Sequence, residues 1–167
     1  MDLTKIKYNP SPNCSSGRGG NKVEYIIIHA MVGYFNGTVS HFLNRKSKVS
    51  AHYLISKNGE VLQMSDLRNT SWHCHGINER SVGIELEDQT LCMKSGMWVT
   101  KELYKTALEL TKSLCIKFNL NETNVYGHGE PEIQKINGPR FAHSDPGPYF
   151  NMDKFRKDLK VLLDESL

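Results

Sequence analysis

Tyr25-Ile26-Ile27-Ile28 sets one aromatic and three β-branched residues in a row, and a histidine, His29, ends the run. A short continuous apolar stretch of this kind predicts a buried central strand, covered on both faces as in a parallel or mixed sheet. Ala51 to Ser56 reads as a second strand. Asn58-Gly59 is the strongest hairpin signal in the chain, with Val61-Leu62-Gln63 returning beside it. Ser81 to Glu87 alternates, putting Val82, Ile84 and Leu86 on one face and Glu85 and Glu87 on the other. An unpaired carboxylate away from water is costly, so these two face solvent, a cation or a site. Solvent is the expectation for Glu87, and the place of Glu85 depends on the rest of the chain. Val125-Tyr126 is a last short strand that runs into Gly127-His128-Gly129.

Helical spacing appears in three places. Thr38 to Asn44 predicts a short helix with Thr38 as N-cap and Val39, Phe42 and Leu43 on one side. From Thr100 to Phe118 the stripe Leu103, Ala107, Leu110, Leu114 and Phe118 predicts a long core helix capped by Thr100. Asp153 to about Asp164 closes the chain with Phe155, Leu159, Leu162 and Leu163 as its buried side. Strands and helices in this order predict one α/β domain, a central mixed sheet flanked by helices, over residues 23–167. Asn9 to Gly20 is rich in Pro, Ser and Gly, and Arg18 and Lys22 add positive charge. Residues 1–22 are therefore expected to form a flexible basic arm. The proline-rich stretch from Gly129 to Pro148 is expected to be a functional loop.

Composition narrows the class only a little. A chain of 167 residues can bury a proper core, and its net charge of +3 suits an anionic polymer such as a bacterial wall as well as nucleic acid. Lys and Arg are scattered, with no basic stripe interleaved with aromatics, which argues against nucleic acid. No window approaches the roughly 18 apolar residues of a membrane span. Met1 to Lys7 has no apolar signal core, so synthesis in the cytoplasm without a leader is expected. Cys14, Cys74, Cys92 and Cys115 form no C-x-x-C pair and are expected to be reduced.

The chemistry concentrates in histidines. His73-Cys74-His75 invites a metal assignment, but neighbours along a strand or loop point different ways. A polar cleft lined by this loop, with Trp72 and His73 facing substrate, is the better reading. Two strand-end histidines, His29 and His128, together with Asp145 make a standard catalytic-zinc set that leaves a fourth position open. Their wide spacing follows no regular motif.

In order and spacing, the chain resembles the type-2 zinc N-acetylmuramoyl-L-alanine amidases, which share a fold with peptidoglycan recognition proteins. The resemblance rests on Ile26-Ile27-Ile28-His29, Ser50-Ala51-His52-Tyr53-Leu54-Ile55, Asn58-Gly59-Glu60 and Trp72-His73. It continues through Asn78, Ser81-Val82-Gly83-Ile84-Glu85-Leu86, Gly127-His128 and Ser144-Asp145-Pro146-Gly147-Pro148. It implies a single Zn2+ ion held by His29, His128 and Asp145, with Glu85 as the catalytic carboxylate. A phage-lysozyme-like branch puts a tyrosine where this chain has Ala51 and lacks the glutamate. Ala51 with Glu85 therefore implies the glutamate-using branch; Tyr53, two residues along the strand from Ala51 and so expected to share its facing, is read first as core, with a substrate-side role in the cleft kept in reserve. Many relatives have a lysine two residues before the ligand carboxylate to stabilise the oxyanion; here it is His143. His143 is expected to take that role, with ligation in place of Asp145 as the alternative. The implied activity is cleavage of the amide between N-acetylmuramic acid and L-alanine in bacterial peptidoglycan, by a monomer. A lytic role of the endolysin kind is expected, released to the wall by a holin-type route. A cytoplasmic enzyme recycling anhydro-muropeptides is the runner-up, and a non-catalytic peptidoglycan-binding module a more distant one.

Overall fold

The computed structural model describes residues 1–88 and 98–166. Cys92 lies outside the described residues, and Cys14, Cys74 and Cys115 are free thiols. Among the described residues eight strands are formed: β1 (Lys7–Tyr8), β2 (Cys14–Ser15), β3 (Tyr25–Ala30), β4 (Tyr53–Ile55), β5 (Val61–Gln63), β6 (Thr70–Ser71), β7 (Ser81–Leu86) and β8 (Val125–Gly127). Six of them build a mixed sheet in the order β1-β5-β4-β7-β3-β8, and β2 and β6 pair separately. β3 runs parallel to both β7 and β8, which buries Ile26, Ile27 and Ile28 completely. The hairpin turn uses Gly59 at φ +82°, where an added Cβ would also stand 2.7 Å from Thr106 Oγ1.

Four helices flank the sheet: α1 (Phe35–Leu43), α2 (Lys101–Phe118), α3 (Pro131–Asn137) and α4 (Met152–Asp164). The Thr100 hydroxyl caps α2 by accepting from the Leu103 N–H at 3.1 Å, and Leu103, Ala107, Leu110 and Leu114 are buried as the stripe predicts. α2 and α4 cover one sheet face, packing on Ile26, Ile28, Val82, Ile84 and Leu86. Burial at about 25 cal/mol per Å² makes this layer the main source of stability. The opposite face of β3 and β7 carries His29 and Glu85.

Several expectations are corrected. α1 starts at Phe35, before Thr38, because its cap comes from elsewhere in the fold. The Glu87 carboxylate accepts from the Phe35 N–H at 2.9 Å and from the Lys57 N–H at 2.8 Å. Glu87 is thus buried, not solvent-facing, and its charge sits at the positive end of a helix. Tyr53 is not a cleft residue. It pairs in register with Ile84, whose side chain faces α2, so its ring joins the core with no exposure. Residues 1–22 do not form a loose arm either. β1 pairs with β5 and β2 with β6, while Arg18 is buried. Its guanidinium donates to the carbonyls of Leu67, Glu79 and Ser81 at 2.8, 3.1 and 2.9 Å. α3 interrupts the expected long loop, beginning at Pro131 where the missing N–H does no harm.

Candidate active site

The site is built where three parallel strands end. His29 lies near the C-terminal end of β3, and its register partner in β7 is Glu85. His128 follows β8 directly, its N–H donating to the Ile28 carbonyl at 3.1 Å. Two neighbours brace this turn. Glu130 accepts from the Gly127 N–H and from both terminal nitrogens of Arg156 in α4, at 2.8 and 2.9 Å. Gln134 of α3 donates to the His128 carbonyl and accepts from the His143 N–H. Gly129 lets the loop carrying Asp145 come close. Its N–H donates to the Asp145 carbonyl at 2.6 Å, and a Cβ there would meet Ser144 backbone atoms at 2.8 Å.

His29, His128 and Asp145, far apart in sequence, converge. Asp145 Oδ2 lies 3.0 Å from His29 Nδ1 and Oδ1 lies 3.3 Å from His128 Nδ1. One ligand atom from each of the three falls within 4.8 Å of the others. Burial alone would raise the Asp145 carboxyl, but the His128 and His29 imidazoles beside it outweigh burial and hold it lowered, in the ionised form. Burial lowers the His128 imidazole, against the opposing pull of Asp145, and so favours the neutral, ligating form. Two imidazoles and a carboxylate meeting at one point fit a divalent metal, and the borderline nitrogen-oxygen set suits zinc.

Behind these atoms stand polar partners. His29 Nε2 lies 3.0 Å from His73 Nδ1, and His128 Nε2 lies 3.1 Å from the Asn137 side-chain amide. Such contacts orient ligating imidazoles in metal sites generally. Neither partner was legible as such: His73 reads as a groove residue, and Asn137 belongs to a helix too short to show in the pattern.

The cleft above has a volume of about 440 Å³. Trp72, His73, His75, Glu85 and His143 line it along with His29, His128 and Asp145, which places the predicted residues together except Tyr53. Trp72 is held by its indole N–H donating to Ser15 Oγ at 3.0 Å. Glu85 is drawn up to about 8 by burial, with repulsion from Asp145 adding to it. A carboxyl poised there is suited to pass a proton near neutral pH. His143 stacks on His128 with ring centroids 4.0 Å apart, its Nδ1 3.6 Å from Asp145 Oδ1. It is half-exposed at the rim and outside the converging group, and burial lowers its imidazole. Val32, also on the cleft wall, sits at φ +52°, a conformation a β-branched residue rarely adopts and no sequence pattern reveals.

The family described as N-acetylmuramoyl-L-alanine amidase matches residues 19–148, the stretch that holds every one of these cleft residues. The chain belongs to that amidase family. Among its relatives, N-acetylmuramoyl-L-alanine amidase A of Achromobacter lyticus is 28% identical over 163 residues, covering 90% of each chain. The 1,6-anhydro-N-acetylmuramyl-L-alanine amidase AmpD of Citrobacter freundii is 29% identical over 132 residues, 74% of this chain and 60% of AmpD. The solved structure of the endolysin N-acetylmuramoyl-L-alanine amidase LysCS from Clostridium intestinale superposes with a TM-score of 0.70 at 18% identity. That match covers 95% of this chain and 97% of LysCS, and it establishes the shared amidase fold.

Proposed function

We propose that this amidase-family chain is a zinc hydrolase that cleaves the amide between N-acetylmuramic acid and L-alanine and acts on the bacterial wall. The observation that carries this is the meeting of His29, His128 and Asp145 beside the proton-holding Glu85 in one open cleft. A zinc ion held by the three side chains supplies Lewis acidity for the carbonyl and a more acidic water. Ionised beside a bound cation, Glu85 would take the proton of the attacking water and deliver it to the leaving amine of L-alanine. His143, at the rim beside Asp145, donates a hydrogen bond toward the developing oxyanion. Trp72 offers a flat apolar wall to the sugar or stem peptide, and its bond to Ser15 keeps that wall in place.

The lytic role is supported by the mild positive charge and by a basic loop at the cleft mouth. Lys48 lines the cleft, and Arg45 and Lys46 stand exposed beside it. The runner-up is recycling of soluble anhydro-muropeptides, favoured by the similarity to AmpD. The test compares two rates for the zinc-loaded protein across a salt series: clearing of purified cell walls, and hydrolysis of a soluble muramyl-peptide. Screening shortens electrostatic range from about 10 Å at 0.1 M to about 3 Å at 1 M salt, so wall clearing should fall steeply and the soluble reaction little. A protein that ignores walls and turns over anhydro-muropeptides fast is a recycler. One that does neither, with zinc bound, overturns the amidase reading.

A further inference from the structure

His29 is held from behind by a second imidazole. His73 Nδ1 lies 3.0 Å from His29 Nε2, the two rings meeting edge to face at 5.2 Å between centroids. On its other side His73 Nε2 lies 3.1 Å from Ser81 Oγ, which in turn lies 2.8 Å from the Ile77 carbonyl oxygen. The far end of this series sets every direction in it. A carbonyl oxygen only accepts, so the single Ser81 hydroxyl proton goes to Ile77. Ser81 Oγ then accepts from His73 Nε2–H. A neutral imidazole has one N–H, which leaves His73 Nδ1 as an acceptor for His29 Nε2–H. His29 Nδ1 is therefore the nitrogen with a free lone pair, and it points at Asp145 Oδ2 3.0 Å away. Two acceptors so close are unfavourable unless a cation joins them.

The orientation of His73 is fixed twice more. Its own N–H and that of Cys74 both donate to Asn78 Oδ1, at 2.9 and 2.7 Å, which pins the backbone. Its ring lies against the bare backbone of Gly83 in β7, where an added Cβ would meet ring atoms at 2.7 Å.

We propose that His73 is a positioning residue: the series Ile77–Ser81–His73 locks His29 in the tautomer that presents Nδ1 as a metal ligand. This rests on the zinc reading above. It separates His73 from Trp72, its neighbour in the loop, since His73 works through the ligand and not through substrate.

Two substitutions distinguish positioning from space-filling. His73→Phe keeps a ring over Gly83 but removes the acceptor for His29. His73→Asn gives up the ring and returns an acceptor oxygen near the former Nδ1. Zinc dissociation constants of the full-length chain are measured by competition with a coloured chelator. His73→Phe should weaken zinc about 10–100-fold, and His73→Asn should recover most of that loss. Parent-like zinc affinity in His73→Phe, or no recovery in His73→Asn, overturns the proposal. A long-range proton–nitrogen correlation spectrum of the labelled parent needs no variant to fold. It should show His73 protonated at Nε2 with or without zinc, and a proton on His73 Nδ1 overturns the proposal independently. A parent chain that fails to bind zinc defeats the zinc reading instead, and its own titration reveals that separately.

Discussion

His29 and Glu85 are register partners on the parallel strands β3 and β7, side by side on the same face of the sheet. One pairing register thus fixes the distance between a metal-ligand candidate and the buried carboxylate. A slip of either strand by one residue would turn its member of the pair into the α2–α4 core and leave the other behind. Because β7 is hydrogen-bonded on both sides, Glu85→Gln should fold and bind zinc like the parent. Its turnover should drop by at least about 10²-fold, the lower end for a lost proton-transfer group. Near-normal turnover with full zinc content would remove Glu85 from the chemistry.

The same carboxyl makes stability depend on pH. Folded Glu85 keeps its proton up to about 8, whereas an unfolded one releases it near 4.5. Between those values the folded state binds more protons, so its stability falls as pH rises. Glu85→Gln removes that loss. In chelator, the variant should melt a few degrees above the parent at pH above about 8 and together with it below pH 4.5. Melting curves in matched buffers check both ends, and a difference that grows toward acid has the wrong sign.

Asp145 and His143 compete for the third ligand position, and the geometry separates them. Asp145 places an oxygen beside a nitrogen of each strand-end imidazole, while His143 stacks on the His128 ring and brings its Nδ1 only to 3.6 Å from Asp145, from the rim. Asp145→Ala should lose zinc and activity together. His143→Ala should keep one equivalent of zinc, measured by metal analysis after purification without added metal, and lose only part of the turnover. The reverse pattern would exchange their roles.

Arg18 replaces the expected solvent-facing arm with a buried anchor. Arg18→Met leaves three carbonyls without their charged donor and should lower stability by about 3 kcal/mol. That corresponds to roughly 6–12 °C in melting temperature for a chain of this size. Deleting residues 1–20 should therefore impair hydrolysis of soluble and wall substrates alike. Selective loss of wall lysis alone would restore the idea of a wall-binding arm.

The sequence made the centre of the fold readable and left its edges dark. Ile26 to Ile28 and the Leu103–Leu114 stripe bury themselves by local pattern alone, so β3 and α2 follow from periodicity. His29, His128 and Asp145 come together as the resemblance implied. What failed depended on distant partners. Glu87 reads as solvent-facing in the sequence because the donors to its carboxylate, the N–H groups of Phe35 and Lys57, are far away in the chain. The core reading of Tyr53 holds, and its reserve role in the cleft fails because Ala51, from which that facing is counted, packs in a different cluster. β1 and β2, two residues each, have no period to detect, and a Gly- and Ser-rich context hid the burial of Arg18.

The Arg18 anchor also bears on how the chain is made. Its carbonyl partners lie 49, 61 and 63 residues downstream, and the His52 ring it touches lies 34 downstream. Arg18 can meet His52 and Leu67 earlier, but its full set of partners exists only once Ser81 has been synthesised. A segment made before β3 is thus fully anchored only when β7 has begun, so its order of synthesis and its order of completion run opposite ways.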